Sequence, residues 1–266
     1  MSLFTSLIRS QVWLSQKFDL LLPPLFRIDG NRDFLDTLLP CYLSPSMISD
    51  HDRVYDVGGG KQPCIPQTTK DSRQLHVTGI DISSEELADA PKGAYDDCVI
   101  ADIQDYSGKE DGDLVICQSL LEHVADTEKA FSSLSTLLRP GGKLLLFVPS
   151  KHAWFAKLNR LLPEDTKRRL LFAIFPHTKR AQGFRAYYHR CSPKEFRKLA
   201  LQNNLTVVAL HPFYKSSYFS FCFPLYVVWR MWILLAFLIW GEDAAETFSL
   251  VLQKNGDINE DRKRSS

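Results

Sequence analysis

Short apolar runs alternate with amphipathic stretches through the middle of the chain, and that alternation sets the expected architecture. Runs within residues 54–60, 76–82, 98–102, 113–118 and 143–148 are rich in Val, Ile and Leu, at consecutive positions in the last three, as strands buried on both faces are. The segments between them open like helices. Ser83-x-x-Glu86 is a capping box, and Asp126 precedes a helical pattern that turns Phe131, Leu134 and Leu138 inward. Strand and helix repeated in this way predict a parallel sheet covered on both faces, with ligands at the carboxyl ends of the strands. Ser192-Pro193 starts another helix, residues 205–210 form a sixth strand, and the alternation over 246–253 forms a seventh.

The ends and insertions follow a different pattern. In residues 3–22, Phe4, Leu7, Ile8, Val12, Phe18, Leu21 and Leu22 recur at helical spacing and Pro23-Pro24 stops the run. This amphipathic helix either packs on the domain as a lid or lies on a membrane surface with Trp13 near the interface. A second short helix is expected over 34–43. Residues 151–190 are too long for a crossover loop and carry helical patterning at 154–162 and 167–175, which predicts an inserted cap. Residues 218–240 are almost wholly apolar and aromatic, interrupted by Pro224 and Arg230. Twenty-three such residues exceed the ~20 needed to cross a bilayer. A single crossing would separate strands six and seven, so a re-entrant or surface-lying helix is expected, with Tyr226, Trp229, Trp232 and Trp240 at the water–lipid boundary. The alternative for this segment is packing over the sheet or in a homodimer. The organisation is therefore N-terminal helices (1–50), a core (51–150), a cap (151–190), the rest of the core with its insertion (191–253), and a charged, disordered tail (254–266).

Composition adds one fact to this picture. The formal charge of the 266 residues is +1, but residues 81–128 hold fourteen acidic and two basic side chains, whereas 151–198 hold thirteen basic and three acidic. The basic half suits an anionic partner such as a membrane surface; nucleic acid is not expected. Six scattered cysteines contain no Cys-x-x-Cys pair and the histidines have no ligand spacing. No metal site or disulfide framework is indicated, and a reducing compartment, the cytoplasmic face of a membrane, is the default.

The chemistry gathers after the first strand. Val-Tyr-Asp-Val-Gly-Gly-Gly at 54–60 runs a strand into an acid and three glycines, where backbone can approach a ligand closely. Asp81, ending the second strand, stands at the spacing where α/β folds place a carboxylate on ribose hydroxyls. A dinucleotide site would need a third spaced glycine and a helix N-terminus for pyrophosphate, but Gln62, Pro63 and Pro66 follow instead. Asp56-x-Gly58-x-Gly60, Gly79-Ile-Asp81-Ile-Ser, Ala101-Asp102-Ile, the run from Asp113 to Glu122-His123-Val, and Leu138-Arg-Pro-Gly-Gly together resemble the class I S-adenosylmethionine-dependent methyltransferases. The likeness is to the branch of small-molecule, quinone and lipid methyltransferases and covers residues 54–148.

The resemblance implies a doubly wound, seven-stranded Rossmann-like α/β sheet, mostly parallel with an antiparallel last strand. It implies S-adenosyl-L-methionine as cofactor, with Gly58, Gly59 and Gly60 along the methionine part and Asp56 bracing the turn or the cofactor's amino group. Asp81 takes the ribose, Asp102 with Ile103 the adenine, Ile82 is a further cofactor-binding residue, and Gln118 and Ser119 lie near the donor methyl. The departure at Gln62 and the prolines leaves no long helix directly after the glycines. His123, just beyond strand four, is the first candidate base, with a structural Glu-His pair as the alternative. Tyr188 and His189, beside Tyr187 at the cap junction, form a second candidate cluster, with core packing as theirs. The expected function is methyl transfer to a lipid-like, quinone-type or lipid-linked acceptor. The alternatives are another group transfer on the same donor, or a non-catalytic membrane-bound adapter.

Overall fold

The computed structural model describes residues 3–161, 185–216 and 218–256. Its centre is a seven-stranded sheet in the order β3-β2-β1-β4-β5-β7-β6. The strands are β1 (Arg53–Val57), β2 (His76–Asp81), β3 (Asp97–Ile100), β4 (Gly112–Gln118), β5 (Leu138–Pro149), β6 (Leu205–Phe213) and β7 (Thr247–Lys254). β1 to β5 pair in parallel, and β7 runs antiparallel between β5 and β6. The doubly wound sheet with a reversed last strand is thus as expected. Strand order changes direction between β1 and β4, which makes their carboxyl ends the crevice where α/β sheets take ligands.

The helices that matter here are α1 (Leu3–Asp19), α2 (Gln67–Arg73), α3 (Ser84–Ala88), α4 (Thr127–Leu137), α5 (Trp154–Leu161), α6 (Pro193–Gln202) and α7 (Phe223–Trp240). Their starts are set by local chemistry. Ser83 Oγ accepts the Glu86 amide, Asp126 accepts those of Glu128 and Lys129, and Ser192 accepts that of Glu195. α2 begins only after Pro66, so a loop of irregular backbone separates it from the glycines, as the prolines require.

Two clusters cover the faces of the sheet. On one, Phe131 of α4 meets Phe196 of α6 edge-on at 5.0 Å, and Phe196 meets Phe248 of β7 at 5.2 Å. Each such pair adds ~0.5–1.5 kcal/mol beyond area burial. On the other, Phe34 and Leu38 from the helical turns between Gly30 and Tyr42 pack over Val54, Val77 and Ile116.

A third cluster lies off the sheet, where α1 and the turn Pro24–Phe26 meet α7. Tyr226, Trp229, Arg230, Ile233 and Ala236 of α7 are buried, at the three- and four-residue spacing of one helix face. Leu225, Val228, Met231, Leu235, Leu238 and Ile239 stay exposed. Arg230, an interruption in the apolar run, is a fully buried staple. Its guanidinium donates to the carbonyls of Tyr214 and Phe26, and Nε lies 3.2 Å from Asp19 Oδ1. Asp19 also accepts the Tyr226 hydroxyl at 2.7 Å and lies 3.3 Å from Lys215 Nζ. This cluster ends α1 at Asp19 rather than at the prolines. The cap helix expected over 167–175 and the chain beyond 256 lie outside the described residues; Lys254, the expected start of the tail, belongs to β7.

Candidate active site

The glycine loop is shaped by what lies beneath it. Gly58 (φ +79°) and Gly60 (φ +49°) take a backbone conformation that L side chains rarely adopt. Gly59 has no room for a side chain, because a Cβ there would lie 2.6 Å from both carboxylate oxygens of Asp56. Asp56 is completely buried. Its Oδ2 accepts the Cys64 amide at 2.7 Å and the Tyr95 hydroxyl at 3.4 Å, and Tyr95 also donates to the Gly60 carbonyl at 3.0 Å. Desolvation pushes the Asp56 carboxyl up to about 6, against those hydrogen bonds. Asp56 is therefore the brace of the loop, closing it from below.

A cavity of about 260 Å³ opens where β1, β2, β3 and β4 end. Gly58, Asp81, Ile82, Asp102, Ile103, Ser119 and His123 all line it, together with Gln104 and Leu120. Neither Gln62 nor any of the prolines is part of the lining. Asp81 is half-buried. Its Oδ1 accepts the Ser83 amide at 2.9 Å, and burial raises its carboxyl above the usual range. The Asp102 carboxylate is held by Gln104 through both backbone and side chain, at 2.9–3.1 Å. Ile82 is 56% exposed at the mouth, while Ile103 is buried behind it.

These features pass the test of fit for an adenosyl group. A carboxylate stands ready for paired hydroxyls, apolar surfaces flank a flat slot, and bare backbone forms one wall. Asp56 Oδ1, buried beneath Gly59 without a hydrogen-bond partner among the described residues, is a leftover acceptor on the glycine side.

Of the other expected site residues, Asp56, Gly59, Gly60, Gln118, Tyr188 and His189 lie outside the lining. Gln118 lies outside the lining, with Nε2 on Asn31 Oδ1 at 2.7 Å and Oε1 accepting from Cys64 Sγ at 3.4 Å, and so ties the N-terminal segment to the glycine loop. His189 is exposed; its Nδ1 accepts the Thr127 amide at 3.2 Å and its carbonyl accepts the Thr127 hydroxyl, which secures the start of α4. Tyr188 is buried at φ +52°, packed with Phe155, and its hydroxyl is held well above its usual range by burial. His123 Nδ1 faces the Arg185 carbonyl at 3.2 Å, and Nε2 is 3.8 Å from Glu122 Oε1.

Glu122 is the residue that sequence reasoning passed over. It is 4% exposed, its Oε2 has no hydrogen-bond partner among the described residues, and burial pushes its carboxyl up to about 8. Its backbone carbonyl accepts the amides of both Tyr187 and Tyr188, so the cap junction is hung from this point. The available signal was a carboxylate embedded in the apolar run Ser-Leu-Leu-Glu-His-Val.

The sheet order, the glycine loop over a buried acid, and the acidic strand ends are those of the Rossmann-like methyltransferase fold. Residues 55–146 match the family described as a methyltransferase domain. The ubiquinone biosynthesis O-methyltransferase of Aeromonas salmonicida (strain A449) is 33% identical over 101 residues, covering 35% of this chain and 42% of that protein. That of Xanthomonas euvesicatoria pv. vesicatoria (strain 85-10) is 31% identical over 156 residues, covering 52% and 64%. The chain thus spans less than two thirds of the length of these relatives. Among solved structures, Haemonchus contortus phosphoethanolamine N-methyltransferase 2 in complex with S-adenosyl-L-methionine superposes with a TM-score of 0.54 at 18% identity, over 94% of this chain and 57% of that one, a likeness of fold.

Proposed function

We propose that the protein is an S-adenosyl-L-methionine-dependent methyltransferase held at a membrane face, acting on a lipid-like or quinone-type acceptor. The observation that carries the reading is the single cavity in which the ends of four strands bring together Gly58, Asp81, Asp102, Ile103 and Ser119. When bound, the cofactor supplies an already activated methyl group on a sulfonium. Asp81 would accept hydrogen bonds from the ribose hydroxyls, Asp102 and Ile103 would hold the adenine, and Gly58 would admit the methionine side. What remains for the protein is orientation, exclusion of water and a proton acceptor for a hydroxyl-bearing acceptor. His123 lines the same cavity. A proton on Nδ1 directed at the Arg185 carbonyl makes Nε2 the basic atom, on the side of Glu122. A Glu122 that keeps its own proton near neutrality leaves that basicity intact.

The membrane part of the reading rests on the outer face of α7. The stretch Phe223–Ala244 has a mean hydropathy of 1.8, long and apolar enough to cross a bilayer, with 28% of it buried. Leu7, Trp13 and Leu21 in and after α1, which packs on α7, and Leu158 and Leu161 of α5, whose Trp154 meets Trp232, are exposed as well. Exposed apolar side chains gathered on packed helices support an interaction site. Because α7 leaves from β6 and returns to β7, its paired neighbour, both ends stay on one side, which supports a helix lying in the interface. The thiols of all six cysteines are unpaired, in keeping with a cytoplasmic face. The quinone-type acceptor draws on the names of the Aeromonas and Xanthomonas relatives.

The test is incubation of the protein and isotope-labelled donor with a membrane extract, followed by mass spectrometry of the lipids. A labelled methyl on an amphiphilic product supports the reading. Absence of donor binding by calorimetry would exclude methyl transfer.

A further inference from the structure

A second and larger cavity, about 430 Å³, lies where the chain after β5 and the start of α6 face α7. Its size falls within the ~300–1,000 Å³ of small-molecule sites. Its lining is of two kinds. Lys151, Lys157, Lys194 and His152 bring cationic or protonatable groups, and Trp232 and Trp240 of α7 bring aromatic surface. Two acids share the lining: Glu195 is paired with Arg190 at 2.8 Å, and Asp243 accepts the Lys194 backbone amide at 3.2 Å and offsets part of the positive charge. None of the three ammonium groups is ion-paired among the described residues. The excess positive charge is felt by His152, which burial and the nearby Lys151 and Lys157, opposed by Asp243, hold below its usual range.

The aromatic wall places this cavity at a boundary. Trp154, Trp232 and Trp240 form a chain of ring contacts, each 6.1 Å between centroids. Beyond it begin the exposed Leu158, Leu161, Leu238 and Ile239. Indole rings favour the depth of lipid headgroups, with apolar side chains below and ammonium groups above. A cluster of cations that shares one lining with Trp232 and Trp240 is complementary to a phosphodiester whose acyl chains run along α7.

We propose that this cavity is a binding site for the phosphate headgroup of an anionic membrane phospholipid, separate from the adenosyl cavity. The assignment rests on the membrane-face reading above and adds a defined headgroup seat to it. The site would hold the catalytic sheet at a fixed height over the bilayer, bearing on α6 and the cap rather than on α7 alone.

The test compares wild-type protein with Lys157→Gln/Lys194→Gln, two exposed positions, in flotation with vesicles of phosphatidylcholine alone or mixed with phosphatidylglycerol. A charge-matched control, Lys92→Gln/Lys109→Gln, removes two exposed lysines outside the cavity lining, one before β3 and one before β4. The expected result is wild-type preference for the anionic vesicles, lowered roughly 25-fold in the pocket variant at ~5-fold per lysine, and little changed in the control. Wild-type protein that floats with neither vesicle sinks the membrane reading itself. Equal binding to both vesicles, or equal losses in variant and control, overturns the headgroup site and leaves membrane attachment standing. A second readout follows the His152 ring by NMR. Dihexanoylphosphatidylglycerol should raise its titration midpoint in wild type and not in the pocket variant. Glycerol phosphate acting as well would make this a free-phosphate site and overturn the lipid assignment.

Discussion

Replacing Glu122 by Gln removes a titrating group while keeping the side chain's length, and its consequence for stability is calculable in sign and approximate size. The Glu122 carboxyl, ordinarily near 4.5, is pushed up to about 8 by complete burial. Between those values the folded protein keeps a proton that the unfolded chain has released. Stability of the wild type therefore falls as pH rises through that window. Each pH unit costs about 1.4 kcal/mol, so full ionisation of the folded state costs on the order of 5 kcal/mol. Below pH ~4 both states hold the proton and the penalty vanishes. Asp56, at about 6, and Glu246, at about 7, slope the wild-type curve in the same direction, but they remain in the variant and cancel in the difference. Any fixed cost of burying the new amide displaces the variant's curve without tilting it. The assay is denaturant unfolding in detergent across pH 5 to 8.5. The difference in stability should grow in favour of Glu122→Gln by several kcal/mol over that range. Two parallel curves would refute the argument, because they would mean that Glu122 is solvated or paired in the folded state.

Three further outcomes follow from the site and the α7 cluster. Asp81→Ala removes a charged acceptor worth ~1.5–3 kcal/mol and should weaken donor binding by ~10- to 150-fold in calorimetry; wild-type affinity would displace the adenosyl group from this crevice. His123→Ala should lower turnover of a hydroxyl acceptor by ~10²–10⁴ with donor affinity preserved, and unchanged turnover would return the Glu-His pair to a structural role. Arg230→Met strips two carbonyls of their guanidinium donor and leaves buried Asp19 with only Tyr226 and Lys215, and should cost ~3–5 kcal/mol in the same unfolding assay, with part of the loss recovered by Asp19→Asn in the double variant; a loss below ~1 kcal/mol would contradict the buried geometry.

What could be read from the chain is what local chemistry decides. Strands buried on both faces announce themselves as consecutive apolar residues, and Ser83, Asp126 and Ser192 open helices because each cap is satisfied within three residues. The glycine loop was legible for the same reason, and so was the delay of α2 to Pro66. The features not legible depend on partners far apart in the chain. Asp19 shows no sign in sequence of meeting Arg230 and Lys215, so α1 was extended to the prolines when a buried carboxylate ends it sooner. His189 stands beside an aromatic pair in sequence, yet its ring serves the Thr127 amide from across the fold. Glu122 was hidden because a single carboxylate in an apolar run does not reveal how fully its surroundings exclude water.

Phe213 and Thr247 face each other across two adjacent antiparallel strands. In the grammar of the sheet, then, the whole stretch between them is an enlarged hairpin tip, and the module it carries is detachable. A tight turn grafted in its place would leave β1 to β5 and every residue of the adenosyl crevice on the retained scaffold. The proposed attachment and the chemistry would thereby be free to evolve at different rates, one by trading the tip and the other by adjusting strand ends on the far half of the sheet.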